Sequence, residues 1–297
     1  MLSTKALAKL YAGMTDYLVE YIKKNLYNFS LYFTWELQMT RFRAAGIHLI
    51  ISGIIVLILL LLMFGVWYPN KYFALMGGDG LIYLIVGIDL CLGPLLTLVV
   101  FKSGKKSLKF DLAVIALMQL TALAYGSYTM FNARPVFTAY ADGEFSIATA
   151  SEITDTELKL AAKPEWSIRS LTGPKLVGIM KPTEKQALAD IEFLSFGMGY
   201  ARFPKLFVPY ESQKTEVLKA AKPLNILRNF DKNNNKVIDQ LLKEKNRPEQ
   251  DFVFVPISSF FNNMSAILDA KTAAFITIID ARPTEPVKTK DTTLPNN

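Results

Sequence analysis

The chain has 297 residues, is 51% hydrophobic and carries a formal net charge of +7. The charge is unevenly placed: residues 1–130 hold 11 basic and 6 acidic side chains, and the rest hold 22 and 20. The second part is therefore nearly balanced, which excludes nucleic acid as an expected partner. The single cysteine, Cys91, excludes an internal disulfide.

Residues 1–40 carry Leu7, Leu10, Tyr11, Met14, Leu18, Tyr21 and Ile22 at helical spacing, punctuated by Lys5, Lys9, Lys23 and Lys24. One reading is a cytoplasmic amphipathic helix lying on the inner leaflet. The other is a packing helix without a lipid role, or an upstream extension ahead of a start at Met39.

Residues 41–130 follow as a membrane block with three apolar runs, 45–66, 81–101 and 108–130. Each approaches the roughly 20 apolar residues a helix needs to cross a hydrocarbon core about 30 Å thick. Only a helix or closed barrel can pair its backbone there. The first run is too far from the start and lacks a small-residue cleavage site, so it reads as a lasting anchor. Arg41 and Arg43 precede it, and Lys102, Lys105, Lys106 and Lys109 crowd the link between the second and third runs. Basic residues in short loops stay in the cytoplasm. The expected topology is N-terminus in and residues 131–297 exported. Trp67-Tyr68-Pro69 closes the first run with an interfacial aromatic pair and a helix stop.

Residues 131–283 predict one exported α+β domain with an antiparallel sheet. Val136–Tyr140 and Phe145–Ala148 read as strands joined through Asp142-Gly143, a turn pair that tolerates positive φ. Thr154 and Glu157 have capping-box spacing, as do Thr183 and Gln186 before a helix over 187–196 that Gly197 closes. Lys175–Met180 reads as a strand. Helical patterns cover 212–221, restart after Pro223 and return over 237–245. Strands over 252–256, 264–269 and 273–280 complete the domain, the last two flanking Ala270-Lys271-Thr272. The tail 284–297 is polar and reads as disordered.

The chemistry that is missing is informative. The only histidine is His48, in the first apolar run. The exported domain thus has neither His nor Cys, so a Ser/His/Asp triad, a Cys/His pair and a His- or Cys-ligated zinc site are unavailable there. No phosphate loop or dinucleotide fingerprint occurs. Asp155/Glu157 and Asp190/Glu192 have acid-x-acid spacing, but on helices such pairs diverge. Asp231-Lys232-Asn233-Asn234-Asn235 begins like a calcium loop, yet Lys236 and Leu242 replace the required glycine and glutamate. It reads as a polar turn before a helix. No catalytic residue, cofactor or metal ligand is expected.

The membrane block carries the candidate site. Asp89 is ionisable within the second run, and such groups usually face a bundle interior. From the inner ends of their helices, Asp89 lies about 18 Å deep and Gln119 about 16 Å, at 1.5 Å per residue. The two are expected to be level and hydrogen-bonded. Gly87, Gly93 and Pro94 add close-approach and bend-prone positions, and Ala122 with Gly126 forms a small-xxx-small pair. The pair either locks the bundle or meets a polar group on a partner's helix. His48 reads as an interfacial hydrogen-bonding residue.

His48-Leu49, Ser52-Gly53, Trp67-Tyr68-Pro69, Gly77-Gly78 and the stretch from Gly87 to Thr97 resemble the TfpX/TfpZ family of type IV pilin accessory proteins. Lys106, Leu108, Asp111-Leu112, Gln119-Leu120, Tyr125-Gly126 and Arg134-Pro135-Val136 extend the likeness. Leu268 to Thr272 and Arg282-Pro283 carry it, more loosely, to the C-terminal end. The family usually has glycine where Ala273 stands. The resemblance implies a multi-pass inner-membrane accessory of a Gram-negative type IV pilus. It would act on the major pilin, with other pilus assembly proteins as further partners, and it would aid pilin stability, assembly or surface display without catalysis. The competing expectations are a pilin-modifying membrane enzyme of the glycosylation type and a regulator of the pilus machinery.

Overall fold

The computed structural model describes residues 13–25, 39–195 and 199–282. Leu7, Leu10 and Tyr11, the expected stop at Gly197 and the tail 284–297 lie outside them. The chain divides into two compact bodies, residues 1–56 with 86–123 and residues 57–85 with 124–297.

Helix α1 covers 13–25 and is exposed along its length. Helix α2 (Arg41–Leu62) starts where the Thr40 hydroxyl accepts the Arg43 N–H at 3.3 Å, a side-chain cap. It continues into a π-turn over Met63–Trp67, closed by Tyr68 N–H on the Met63 carbonyl at 2.8 Å. A short α3 (Tyr72–Leu75) follows, then α4 (Asp79–Gly87), a second π-turn (Ile88–Leu92) and α5 (Gly93–Val100) without a break between them. Helix α6 (Leu108–Ala133) completes the apolar part.

Two of these helices, Arg41–Trp67 and Leu108–Ala133, are long and apolar enough to cross a membrane. The expected third span over 81–101 is not one plain helix; its backbone changes pitch midway. Proline explains where. Pro69 and Pro94 have no N–H to continue an α-helical ladder. In each case the residue just before the proline reaches back five residues rather than four, Tyr68 to Met63 and Gly93 to Ile88. Widened turns of this kind are how helices absorb such a defect.

The second body contains an eight-stranded sheet. Its strands are β1 (Pro135–Ala141), β2 (Glu144–Thr149), β3 (Lys175–Ile179), β4 (Phe207–Pro209), β5 (Lys222–Pro223), β6 (Phe252–Ser258), β7 (Asn263–Asp269) and β8 (Phe275–Ile279). The order is β4-β3-β1-β2-β6-β7-β8, with β5 also on β6. The sheet is mixed, which corrects the antiparallel expectation: β1 pairs with β3, and β2 with β6, in parallel. Chain direction still alternates from β1 through β4. Strand β3, however, settles on the outer edge of β1 instead of beside β2, so its neighbour runs the same way.

Local chemistry fixes several of these elements. Asp142 and Gly143 both take positive φ, 52° and 81°, as a tight two-residue hairpin turn requires. Thr154 accepts the Glu157 N–H at 3.2 Å and starts α7 (Asp155–Lys159). Helices α8 (Lys185–Ser195), α9 (Lys214–Ala220), α10 (Leu224–Phe230) and α11 (Lys232–Lys245) follow. The calcium-like segment is the first turn of α11 rather than a turn before it, which corrects the expected helix start at 237. Asp231 caps α11 through Asn233 N–H at 2.8 Å, and buried Asn234 donates to the Leu227 carbonyl at 2.8 Å.

Among the described residues, two apolar cores hold the sheet. One gathers Phe137, Ala139, Ala148, Leu158, Trp166, Val177 and Phe207. The other packs Leu227, Ile238 and Leu241 of α10 and α11 on Phe252, Phe254, Ile267 and Ile279. Each large buried side chain contributes about 1.5–3 kcal/mol. The partly exposed bridges from Arg228 to Asp239 and Glu249 contribute about 0–1 kcal/mol each, so packing decides where these helices sit.

The segment after α2 is bound tightly to the sheet. Tyr68 Oη donates to the Met130 carbonyl at 2.7 Å, and the Tyr72 hydroxyl meets Thr138 Oγ1 at 2.8 Å. Burial pushes the Tyr72 phenol up to about 12. Ser259 Oγ and Asn262 Nδ2 donate to the carbonyls of Leu75 and Ala74 at 2.6 and 2.8 Å.

A candidate polar site among the apolar helices

The first body brings one face of each of three helices together. On α2, Ala44, Ile47, His48, Ile51, Ser52 and Ile55 recur at steps of three and four, which places them on one stripe. On α6 the same spacing aligns Leu112, Ala116, Gln119, Leu120 and Leu123. On the middle run, Asp89, Gly93 and Thr97 are four apart. A straight α-helix would turn such a series by about 40° per step. The π-turn at Ile88–Leu92 absorbs part of that drift.

Three polar side chains and a main-chain carbonyl form a chain of hydrogen bonds there. His48 Nδ1 lies 2.6 Å from Thr97 Oγ1, and His48 Nε2 lies 2.7 Å from Gln119 Oε1. Gln119 Nε2 donates to the main-chain carbonyl of Asp89 at 3.4 Å. The donor inventory settles the directions. The Asp89 carbonyl can only accept, so the amide nitrogen of Gln119 must face it, leaving Oε1 for His48. His48 then donates from Nε2 to Gln119 Oε1, and its Nδ1 bonds the Thr97 hydroxyl.

Why the Asp89 carbonyl needs an outside donor follows from Pro94. Gly93 N–H is engaged by Ile88, and the next residue along has no N–H. An unpaired carbonyl buried among apolar helices costs several kcal/mol, and the Gln119 amide answers it. The Asp89 carboxyl is buried at 5% exposure and lies beside the same amide and His48. Gln119 thus reaches Asp89 as expected from depth, and its amide serves the main-chain carbonyl as well as the carboxyl.

The remaining expected positions separate. Gly93 is buried, and a Cβ built on it would overlap the Gln119 amide, so only glycine leaves room for this contact. Pro94 is buried behind it. Gly87 makes no close approach among the described residues: a Cβ there would meet open space. Arg41 and Arg43 are exposed at the start of α2, and Lys102, Lys105, Lys106 and Lys109 are exposed around the link to α6, where Lys105 pairs with Asp111 at 2.6 Å. His48 and Thr97 are central yet were not singled out as site residues from sequence. The signal for them was present: His48 shares a stripe with Ser52, and Thr97 lies eight residues beyond Asp89.

The cluster opens on a cleft of about 530 Å³ whose other walls are almost wholly apolar. Among the described residues, no group of three or more His, Cys, Asp or Glu side chains is placed to share a metal ion.

The arrangement defines a membrane-associated protein, with two bilayer-length helices and a mixed-sheet domain. Its relatives are more specific. The family model described as fimbrial assembly protein FimB matches residues 37–77, the stretch that carries α2, its π-turn and α3. The chain is 34% identical over 235 residues to a fimbrial assembly protein, serogroup E1, of Dichelobacter nodosus, covering 76% of this chain and 90% of that one. It is 34% identical over 185 residues to the serogroup I protein of the same organism, covering 61% and 72%, and 37% identical over 121 residues to that of serogroups C1 and C2, covering 40% and 92%. This chain belongs to the FimB family of fimbrial assembly proteins. No solved structure matches it.

Proposed function

We propose that the chain is a non-catalytic inner-membrane accessory protein of type IV pilus assembly, of the TfpX/TfpZ kind, whose partner is the major pilin. In this reading the middle run, 22 helical residues from Asp79 to Val100 in α4, the π-turn and α5, also spans the bilayer. The N-terminus is cytoplasmic, as Arg41, Arg43 and the four lysines at 102–109 require, and the sheet domain is periplasmic. The names of the relatives, all fimbrial assembly proteins, support the assembly role.

The observation that carries the proposal is the buried Asp89 carboxyl at the edge of an apolar cleft. His48, Thr97 and Gln119 bond to one another and Gln119 to Asp89; in this reading the Asp89 carboxyl, at the edge of the cleft, also answers a polar or charged atom on a pilin membrane helix. An ionisable side chain at this depth is costly unless it has such a use. Asp89→Asn and Asp89→Leu should lower piliation severalfold while the level of the accessory protein holds. Unchanged piliation with normal protein levels would refute the membrane contact. Mass spectrometry of pilin from a deletion strain tests the chemistry separately, because loss of a covalent modification would mark the chain as an enzyme.

A further inference from the structure

Two loops of the sheet domain expose large apolar side chains at one end of the sheet. Ile168 and Leu171 are 66% and 58% exposed in the loop before β3, and Phe260 and Phe261 are 76% and 61% exposed in the loop between β6 and β7. Strand direction puts both loops at the end where α6 enters β1. Lys175 of β3 is level with Phe137 near the start of β1, and the last residues of β6 run parallel to β2 towards Thr149, which faces Pro135.

Contacts place both loops beside the ends of the apolar helices. Arg134, one residue beyond α6, donates from Nε to the Ser170 carbonyl at 2.9 Å and lies 3.7 Å over the Phe131 ring. A Cβ on Gly173 would overlap Pro69, two residues beyond Trp67. The second loop is tied through Ser259 and Asn262 to Leu75 and Ala74, and Phe261 packs on Gly77, two residues before α4 begins. Trp67 and Phe131 pair edge to face, with ring centroids 5.2 Å apart, at the very ends of their helices. Tryptophan and other aromatic residues at helix ends mark the headgroup level of a bilayer.

We infer that these loops are a second membrane contact: Ile168, Leu171, Phe260 and Phe261 enter the outer leaflet of the lipid bilayer and hold the sheet domain down on it. The occupant is lipid rather than protein because the loops are bound to the residues where the helices leave the hydrocarbon. Side chains projecting from that level meet acyl chains and headgroups before anything else. Their removal from water stabilises the docked position, as for any apolar surface. The inference rests on the topology proposed above for the leaflet it names, and it stands or falls separately from the pilin contact at Asp89.

The test uses the full chain in lipid nanodiscs with Cys91→Ser as background. Single cysteines placed as Ile168→Cys, Leu171→Cys and Phe260→Cys carry an environment-sensitive fluorophore. Lys271→Cys, in the exposed turn at the other end of seven-residue β7, is the control, about 23 Å away at about 3.3 Å per residue. Shallow doxyl-labelled lipid should quench the three loop labels at least threefold more than the control, and aqueous iodide should show the reverse order. Iodide quenching of the loop labels equal to the control, without quenching by doxyl lipid, would overturn the inference. So would shielding that develops only when purified pilin is added. Because the sites lie on two independent loops, a variant that fails to fold leaves the others to decide.

Discussion

The hydrogen bond between His48 and Gln119 should have a measurable coupling energy. At 2.7 Å it is short, and it joins α2 to α6 among apolar side chains. His48→Leu strands Gln119 Oε1 and the Thr97 hydroxyl; Gln119→Leu strands His48 Nε2–H and the Asp89 carbonyl. Leaving a buried polar group unpaired costs about 1–3 kcal/mol. Each single variant should lose about that much, while the double variant strands less than the two singles together. Interhelical bonds in membranes average about 0.6 kcal/mol and reach about 1.7. The geometry here argues for a coupling of about 1–1.5 kcal/mol, or roughly five- to twelvefold in the unfolding constant. Denaturation in mixed micelles, with wild type, both singles and the double variant, yields this number directly. Additivity to within about 0.3 kcal/mol would show that the bond does not join the helices, and the derived relay through His48 would be wrong.

Gly93→Ala should destabilise the helices by about 1–3 kcal/mol despite alanine's better helix propensity, because its methyl displaces the Gln119 amide; Gln119→Ala in the same chain should recover part of the loss in the same assay. Ala273 is fully buried with φ of 55°, and its carbonyl accepts the Tyr210 hydroxyl at 2.7 Å. Relief of about 1–2 kcal/mol of left-handed strain in Ala273→Gly offsets the loss of a buried methyl and the added chain freedom, so melting should shift little, whereas Ala273→Val should cost more than about 2 kcal/mol. The Arg247 guanidinium and the turn N–H groups of Lys271 and Thr272 hold the Asp269 carboxyl well below the usual carboxylate range. Its folded-state pKa is depressed, so its contribution is present above about pH 4 and is lost as pH falls below it. Asp269→Asn should lower the melting temperature at pH 7 and shrink the fall seen on acidification.

Local signals carried far into this fold. The Asp142-Gly143 turn, the Thr154 cap and the two sheet-forming runs on either side of Lys271 depend on neighbours in sequence, and each occurs where the residues require. Sheet order does not depend on neighbours. Nothing in Lys175–Ile179 announces that it pairs with β1 rather than β2, and β4 and β5 are too short, at three and two residues, to show a period. Depth arithmetic brought Asp89 and Gln119 together because two helices packed side by side share one scale. It could not show that the Asp89 main-chain carbonyl would accept as well, since that depends on a change of helix pitch.

That change of pitch ties the site's parts into one requirement. Pro94 removes a donor, the π-turn hands Gly93 N–H to Ile88, and the Asp89 carbonyl is left to seek a partner from another helix. Gln119 can reach it only because residue 93 has no side chain. Once the amide nitrogen is committed, its oxygen is free for His48, and His48 in turn orients Thr97. Pro69 starts the same sequence at the end of α2, where Tyr68 N–H turns back to Met63. There the outcome differs, because the chain leaves the helix and Tyr68 bonds Met130 instead. One defect, a proline in an apolar helix, thus yields a polar junction where the helix continues and an anchored exit where it stops.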